Sequence, residues 1–338
     1  MLEDLYQYTI GDTATIGCTA TDDVDGSVAC NYSGSVDTST IGTYDITYVA
    51  IDTAGNTATL IVTYTVHEDY LTWDLSSYYD DAEGLDGESL ILALNGIIDG
   101  QTVYPYTSSS TDVWDILRDV DEDPNNPSNI IGFYTGLSIL KDCQDGSSVA
   151  EYCQMEAYGI TQTVEWNREH IWSKSRGFPT ESYDAYTDVH HLVAAESWMN
   201  STKNNRFFET CDANDTNVID RGYGNSTCND WSFEPRDEVK GDVARMIFYM
   251  LIRYYIELDM EVMDNPMDYL LSIGEDQNSA LAIYGDLEDL LIWNYNDPVS
   301  QKEIDRNEAI FGYQGNRNPF IDYEHFAELI FGDEPFYN

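Results

Sequence analysis

The first part of the chain, Tyr6–Val66, alternates hydrophobic and polar residues with the period of a β-strand. The alternation is cleanest in Tyr44–Ala50 and Leu60–Val66, where every second side chain would point to the same face of a sheet. Asp-Gly and Gly-Asn pairs separate the alternating runs, as in turns between strands. The pattern therefore predicts a small all-β domain built as a sandwich.

A different period begins after about residue 70, where hydrophobic residues recur every three or four positions, as on the buried face of a helix. Helices are predicted in five regions: Leu90–Ile98, Val113–Leu117, Val243–Tyr254, Leu281–Leu291 and Lys302–Phe311. Asn129–Leu140 is predicted as a β segment. We therefore expect a multidomain chain, with an all-β domain over 1–70 and a mainly helical α+β domain over 71–338.

Composition adds an unusual charge to this picture. The 338 residues include 42% hydrophobic ones, enough for two cores, and carry a formal net charge of −47. Such a surface favours solubility and salt adaptation, and at low salt it should repel a polyanion. The span 160–210 is an exception, because five of the fifteen basic residues lie there against seven acidic ones. Five positive against seven negative charges leave this span close to neutral, at a net of −2.

Six cysteines form three sequence-local couples: Cys18 with Cys30, Cys143 with Cys153, and Cys211 with Cys228. None has the Cys-x-x-Cys spacing of zinc and redox motifs, so we expect three disulfides and an oxidising, extracellular compartment. The chain starts at Met1-Leu2-Glu3-Asp4 without a basic and apolar leader, so we expect any encoded secretion signal to have been removed from this version. No apolar run approaches the roughly 20 residues needed to span a bilayer. A secreted monomer without a membrane span is expected.

Three of the five histidines fall in the same near-neutral span, beside acidic and amide side chains. The segments are Asn167-Arg168-Glu169-His170, Asp188-Val189-His190-His191 and Asn200–Asn205. Imidazole suits proton transfer near neutral pH, and carboxylate and amide oxygens suit a hard divalent cation such as Mg²⁺. The combination of a base and a metal ion indicates hydrolysis.

The same span is predicted to fold as two antiparallel strands, Val164–Trp172 and Asp188–Val193, followed by a helix over Ala194–Asn205. Neighbouring residues of a strand face opposite sides. Glu169 and His170 can therefore act on one phosphate only if the strand ends and turns at that point.

These motifs resemble the secreted endonuclease I family of ββα-metal (His-Me finger) nucleases. The resemblance covers roughly 75–338, because Tyr78–Leu85 and Gln314–Asp322 also match family segments. It implies a metal-dependent, non-specific endonuclease acting on extracellular DNA and also on RNA. Two positions depart from the family pattern: Ser173 replaces a proline, and Lys203 replaces an arginine.

The resemblance also implies roles for individual residues. His170 would be the general base, and Glu169 and Asn200 would bind Mg²⁺, Mn²⁺ or Ca²⁺. Arg176 would stabilise the transition state, and Arg168 and Lys174 are alternative candidates for that role. Contacts to the substrate are expected from three cations: Arg168, Lys174 and Lys203. Supporting roles are expected for four further residues: Asp188, His190, His191 and Asn205.

The N-terminal segment resembles the immunoglobulin-like repeats of bacterial surface and secreted proteins, through Asp22–Gly26, Gly42–Tyr44 and Tyr48–Asn56. Its aspartates suit either a structural Ca²⁺ or the capping of turns, and turn capping is the simpler interpretation. The residues concerned are Asp22, Asp23, Asp25 and Asp52.

Two other functions compete with the nuclease. An acidic, calcium-binding surface or adhesion protein would explain the charge and the β domain but not the Glu169-His170 pair. A structural zinc protein built on His170, His190 and His191 would lack a fourth ligand, because the next cysteine, Cys211, is better used in a disulfide.

Overall fold

The computed structural model describes residues 6–67, 75–146, 153–157, 160–212 and 214–332. They divide into two compact units: the described residues up to Leu90 together with those from Glu328 onward, and Ile91–Ala327. The domain boundary predicted near residue 70 lies outside the described residues and stays a prediction. Within the described part of the chain, no helix has the length and apolar character needed to cross a membrane.

The N-terminal unit contains a five-stranded sheet of order β1-β5-β4-β3-β2. Its strands are β1 (Tyr6–Thr9), β2 (Ala20–Asp22), β3 (Gly26–Ser33), β4 (Gly42–Ile51) and β5 (Thr57–His67). β4 and β5 pair antiparallel over ten residues, from Gly42↔Val66 to Ile51↔Thr57, and β1 joins β5 in parallel. The predicted alternation is confirmed, because Ile46, Tyr64 and Val66 are buried while Asp45 is exposed.

Within the described residues these strands form one sheet rather than the two layers of the predicted sandwich. Gly34 directly follows β3, whose last residue, Ser33, pairs with Thr47, and a Cβ on Gly34 would stand 2.8 Å from the carbonyl oxygen of Asp45 in the neighbouring strand β4. The aspartates act in turns: Asp22 accepts the amides of Val24 and Asp25. These contacts agree with the turn-capping interpretation.

The described chain from Gly87 onward, most of which belongs to the second unit, forms nine short-to-medium helices and thirteen short strands. The helices are α1 (Gly87–Ile98), α2 (Val113–Val120), α3 (Ser197–Lys203), α4 (Lys240–Leu258), α5 (Pro266–Ser272), α6 (Leu287–Asn296), α7 (Gln301–Gln314), α8 (Pro319–Asp322) and α9 (Phe326–Phe331). The strands up to the site are β6 (Glu122–Asp123), β7 (Asn126–Ile131), β8 (Ser138–Leu140), β9 (Gln154–Ala157), β10 (Ile160–Thr163), β11 (Trp166–His170) and β12 (Leu192–Glu196). Those after it are β13 (Phe207–Phe208), β14 (Ile219–Gly222), β15 (Asn225–Cys228), β16 (Ser232–Glu234), β17 (Glu261–Met263) and β18 (Ile283–Asp286).

The β content exceeds the prediction of a mainly helical domain. The strands are two to six residues long and form sheets of two to four strands. Such strands are too short to show a period of two in the sequence. Asn129–Leu140, predicted as one β segment, is instead a hairpin of β7 and β8 with the register Asn129↔Leu140.

The predicted helices form, with two corrections. α2 is capped by Asp112, whose carboxylate accepts the amides of Trp114 and Asp115. α4 is buried on all sides from Gly241 to Tyr254, whereas a single buried face was expected. The region Leu281–Leu291 is strand β18 followed by α6, because Gly285 has a φ of +83° and interrupts the helical pattern.

The core of this unit forms where α2 and α7 pack against β7, β8, β11 and β12. Its fully buried side chains include Ile116, Leu117, Trp166, Leu192 and Ile310. The strand that carries the predicted catalytic motif therefore has its first residue, Trp166, fixed in the core.

The three predicted disulfides are present: Cys18–Cys30, Cys143–Cys153 and Cys211–Cys228. The Cys143–Cys153 bridge adjoins the motif strand, because the carbonyl of Cys143 accepts the amide of Trp166 at 3.0 Å. This bridge therefore helps to fix the start of β11.

Candidate active site

The motif residues lie on a β-hairpin followed directly by a helix. β11 and β12 pair antiparallel from Trp166↔Glu196 to His170↔Leu192, and α3 begins at the next residue, Ser197. The order strand, strand, helix is the predicted one, but both later boundaries are shifted. The second strand begins at Leu192 rather than Asp188, and the helix begins at Ser197 rather than Ala194.

The shift has a local cause at Asp188. Its carboxylate accepts the backbone amide of His190 at 3.0 Å and the hydroxyls of Tyr249 and Tyr254 at 2.7 and 2.9 Å. These bonds hold the segment before Leu192 in a turn. The sequence alone does not show them, because Tyr249 and Tyr254 are about sixty residues away.

The end of β11 opens into a cleft of about 390 Å³. Its lining contains Tyr106, Trp114, Asp145, Asn167, Arg168, Glu169, His170, Ser173, Lys174, Ser175, Asn200, Asn204 and Asn205. Both Glu169 and His170 reach this cleft, although they are neighbours in sequence. The turn expected after His170 is therefore present.

The ring of His170 is fixed by a backbone carbonyl. Its Nε2 lies 2.9 Å from the carbonyl oxygen of Tyr186. A carbonyl oxygen only accepts, so Nε2 carries the proton and Nδ1 keeps its lone pair. Burial, with a smaller effect from the adjacent His191, lowers the pKa of His170 well below its usual value. The imidazole is therefore neutral and able to take a proton at neutral pH.

Glu169 is buried, with 3% of its surface exposed, and is held at one oxygen. Its Oε1 accepts the hydroxyl of Tyr134 at 2.8 Å and lies 3.2 Å from the ammonium of Lys203. Burial raises the pKa of Glu169, against the opposing attraction of Lys203 and the hydrogen bond from Tyr134. The Tyr134 hydroxyl remains a donor, because burial raises its own pKa well above the usual value.

Asn200 turns its amide nitrogen toward the hairpin. Its Nδ2 donates to Oδ1 of Asn167 at 2.8 Å and faces the carbonyl of Arg168 at 3.5 Å. Its Oδ1 is consequently free of hydrogen bonds from the described residues. A carboxylate and an amide oxygen lining one cleft form a suitable donor set for a hard cation that keeps most of its waters. The residues present therefore fit a hard divalent cation.

Two cations line the cleft beside these groups. The guanidinium of Arg168 is sandwiched between the rings of Tyr106 and Trp114, at 3.3 and 4.0 Å from their centroids. Arg168 also donates to the carbonyl of Tyr106. Lys174 donates to the hydroxyl of Tyr186 at 2.7 Å. Both side chains therefore bring positive charge to the lining of the cleft.

The other two predicted cations are buried. Arg176 has no exposed surface; it donates to the carbonyls of Asn205 and Gln277 and stacks on Phe207 at 4.0 Å. Burial lowers its pKa to about 10, so it stays charged. Neither Arg176 nor Lys203, which is also fully buried, belongs to the cleft lining. The structure therefore does not bring them to the position where a substrate contact was expected.

The supporting residues lie behind the cleft, except Asn205. His190 and His191 each bond a backbone carbonyl through Nε2, of Asn316 at 3.1 Å and Ala185 at 2.8 Å. Burial lowers the pKa of each histidine to about 4. Asn205 lines the cleft and donates to the carbonyl of Gln277 at 3.2 Å.

Asp188, in the turn before β12, supplies a negative charge beside the buried His190 and His191. Burial alone would raise its pKa, but His190, His191 and hydrogen bonds from Gln314 and Tyr249 together hold the pKa below its usual value. Asp188 is therefore a buried carboxylate fully occupied by donors, which excludes it as a free base.

The structure adds residues that sequence reasoning missed. Tyr134 holds Glu169, the Tyr186 carbonyl orients His170, and Tyr106 with Trp114 fixes Arg168. Tyr134 and Tyr106 precede their partners by 35 and 62 residues, so no spacing signal connects them. Asn167, which bonds Asn200, was within the motif and could have been found there.

A zinc site on His170, His190 and His191 is not formed, because the ring nitrogens of these three histidines do not come together within the distance that one metal ion would require. Among the described residues, the one group of three metal-binding side chains is Cys211, Asp215 and Cys228. Its two cysteines are joined in a disulfide and are not available to a metal.

Comparison with known proteins agrees with this geometry. A sequence model of the Endonuclease I family matches residues 87–325, which include the whole cleft. The chain belongs to the endonuclease I family. The endonuclease is therefore a phosphodiester hydrolase, and the non-catalytic calcium-binding alternative is set aside. Residues 12–67 match the bacterial surface protein Ig-like domain, which gives the chain two domains of different kinds.

Two curated relatives of the endonuclease are named extracellular ribonuclease. The protein from Bacillus subtilis (strain 168) is 40% identical over 258 residues, which is 76% of this chain and 79% of the relative. The protein from Bacillus amyloliquefaciens is 41% identical over 258 residues, which is 76% of this chain and 78% of the relative.

Proposed function

We propose that this chain is a secreted, metal-dependent, non-specific endonuclease that hydrolyses phosphodiester bonds of RNA and DNA. The observation that carries the proposal is the meeting of Glu169, His170 and Asn200 in one cleft, with the Nε2 of His170 bonded to a carbonyl. This arrangement corresponds to a ββα-metal finger, in which the hairpin supplies the base and the helix supplies the amide ligand.

In this proposal Nδ1 of His170 accepts a proton from the water that attacks phosphorus. The hydrogen bond from Nε2 to the Tyr186 carbonyl keeps the ring in the required tautomer and stabilises the imidazolium that forms. The depressed pKa of His170 ensures that the ring is unprotonated before each turnover.

Glu169 and Asn200 would hold the metal through a carboxylate and an amide oxygen. When bound, a divalent cation supplies polarisation of the phosphate and stabilisation of the leaving oxygen. Mg²⁺ suits these ligands, and Mn²⁺ and Ca²⁺ accept the same donors. A further, structural Ca²⁺ on the aspartates of the N-terminal unit stays a prediction.

Arg168 and Lys174 are proposed as the substrate-binding cations, because both line the cleft next to His170. Phosphate contacts of this kind do not distinguish RNA from DNA. The names of the relatives support RNA as a substrate. Their extracellular location, together with three disulfides, supports secretion of this chain. A monomer is expected but is not needed by the site.

The test replaces His170 by Ala and measures hydrolysis of RNA and DNA with saturating Mg²⁺. We expect turnover to fall by about 10² to 10⁴, the usual contribution of a general base. Glu169→Ala and Asn200→Ala should instead raise the Mg²⁺ concentration that gives half-maximal activity. His325→Ala, which alters a histidine outside the cleft lining, is the matched control. Wild-type turnover in His170→Ala would refute the assignment of the base.

A further inference from the structure

Glu169 and His170 are adjacent on a strand, and a regular strand would point their side chains in opposite directions. The two side chains nevertheless line the same cleft. The strand must therefore be held in a turn immediately after its last ladder pair, His170↔Leu192. Some group has to bind the backbone carbonyls that leave the sheet at this point.

Lys203 occupies that position. Its Nζ donates to the carbonyls of His170 at 3.2 Å and Ile171 at 3.1 Å, and to the hydroxyl of Ser173 at 2.9 Å. The same ammonium lies 3.2 Å from Oε1 of Glu169. One buried charge thus contacts the carboxylate and three successive points along the turn.

The surroundings of Lys203 keep the ammonium in place. The side chain has no exposed surface, and Nζ lies 4.9 and 5.2 Å from the ring centroids of Phe208 and Tyr284. An ammonium is costly to bury unless it is paired and fully hydrogen-bonded, and both conditions are met here. Without access to the cleft, it has no direct contact to offer a phosphate.

Lys203 also belongs to the helix that provides the second ligand. It is the last residue of α3 and stands three positions after Asn200, so the two side chains are neighbours on the helix surface. The contacts of Lys203 with the end of β11 therefore connect the helix carrying Asn200 to the strand carrying Glu169. The distance between the two metal-binding oxygens is expected to depend on this connection.

We propose that Lys203 is a positioning residue that clamps the end of β11 to α3, and so holds Glu169 and Asn200 in the arrangement that binds the divalent cation. This inference rests on the proposed metal-binding role of those two residues. It replaces the phosphate contact first expected of Lys203. Ser173 is part of the clamp, because its hydroxyl is one of the three hydrogen-bond acceptors of the ammonium.

The test compares Lys203→Met with Lys174→Met, two lysines of the same span with different surroundings. Mn²⁺ binding is measured by electron paramagnetic resonance without nucleic acid. Binding of a single-stranded oligonucleotide is measured separately in EDTA. For Lys203→Met we expect the Mn²⁺ dissociation constant to rise 10- to 100-fold, as for other residues that orient metal ligands, and oligonucleotide binding to change less than about twofold. Lys174→Met should show the reverse pattern.

Two further variants separate positioning from general stability. Lys203→Arg keeps the charge and should recover much of the Mn²⁺ affinity. Lys240→Met removes another partly buried lysine, which pairs with Glu234 at 2.7 Å and Asp237 at 2.8 Å. Lys240→Met should lower the melting temperature without changing Mn²⁺ affinity. If Lys203→Met does not fold, Ser173→Ala decides the question, and a several-fold weaker Mn²⁺ binding is expected.

The inference would be overturned by wild-type Mn²⁺ affinity in folded Lys203→Met, or in Ser173→Ala if that variant carries the test. Weaker oligonucleotide binding with unchanged Mn²⁺ affinity would restore the phosphate contact instead. Glu169→Ala identifies a failure at the level of the proposed function. If it too leaves Mn²⁺ binding unchanged, the metal site itself has been misassigned.

Discussion

Four cations surround the catalytic motif, and the structure divides them into two pairs. Arg168 and Lys174 line the cleft, whereas Arg176 and Lys203 are fully buried behind it. The cleft pair contacts the aromatic rings of Tyr106 and Tyr186. The buried pair donates to backbone carbonyls of the turns that shape the site. Cations that lie close together in the sequence therefore have two different roles: one pair lines the cleft, and the other stabilises the backbone behind it.

The histidines divide in the same way. His170 reaches the cleft, while His190 and His191 are bonded to carbonyls behind it. In this protein, therefore, some polar side chains near the motif line the cleft and others are hydrogen-bonded behind it. The two groups can be distinguished by experiment. Replacing a residue buried behind the cleft should change the stability of the fold, whereas replacing a residue that lines the cleft should change the reaction rate or the binding affinity.

The largest expected effect on this comparison comes from Arg176→Met. Loss of the buried guanidinium removes its charge-assisted hydrogen bonds to the carbonyls of half-buried Asn205 and exposed Gln277, each worth about 1.5–3 kcal/mol. We expect the free energy of unfolding in urea to fall by roughly 3 kcal/mol. Lys174→Met, the matched change in the cleft, should alter it by less than about 0.5 kcal/mol.

The alternative role of Arg176, stabilisation of the transition state, leads to the opposite expectation. If Arg176 stabilises the transition state, Arg176→Met should be nearly as stable as the wild type and lose turnover by about 10² or more. Unfolding and turnover measured on the same preparation therefore distinguish support from chemistry at this position.

Much of the fold could be predicted from local sequence. The strands β4 and β5 and the helix α4 are long enough to show their periods, and the disulfides follow from the spacing of the cysteines. The short strands of the second unit gave no such signal. The second layer of the predicted sandwich is not formed by the described strands, which pair in a single sheet.

The site was predictable as a set of chemical groups but not as a set of positions. The motif indicated Glu169, His170 and Asn200, and all three line the cleft. Whether a nearby cation faces the cleft depends on distant partners. Gln277 lies about a hundred residues from Arg176, and Tyr284 about eighty from Lys203. Such partners leave no trace in the spacing of the motif.

A smaller effect is expected from pH, and it acts on the buried histidines. Burial lowers the pKa of His190 and His191 to about 4, whereas an unfolded histidine titrates near 6.5. Between these values the unfolded chain binds more protons than the folded one, so stability falls as the pH drops from about 6.5 to about 4. Each histidine contributes at most about 3 kcal/mol to this loss.

Buried carboxyl groups oppose this trend. Burial raises the pKa of Glu209 to about 7, so its protonation favours the folded state as the pH falls. A variant therefore isolates the histidine effect. His191→Gln keeps a donor for the Ala185 carbonyl but does not titrate. Urea unfolding at several pH values should show a shallower acid loss in His191→Gln than in the wild type. Equal losses would mean that His191 is not buried as a neutral ring.

The smallest expected effect, a change in salt dependence, tests the cleft pair itself. Each phosphate contact releases counterions, so the logarithm of affinity falls with the logarithm of salt concentration by about 0.7 per contact for single strands. Lys174→Met and Arg168→Met should each lower that slope by up to this amount and weaken oligonucleotide binding about tenfold at low salt. Arg176→Met and Lys203→Met should leave the slope unchanged.

The strongly acidic surface affects all four variants to nearly the same extent. A net charge of −47 repels nucleic acid over the Debye length, which shrinks from about 30 Å at 0.01 M salt to about 8 Å at 0.15 M. This repulsion should give wild-type activity an optimum at moderate to high salt. It is nearly the same in all four variants, since each loses one positive charge. Differences in slope, measured by oligonucleotide binding in EDTA over a NaCl series, therefore report the lost contacts. Equal slopes for Lys174→Met and Lys203→Met would contradict the assignment of a phosphate contact to Lys174 and not to Lys203.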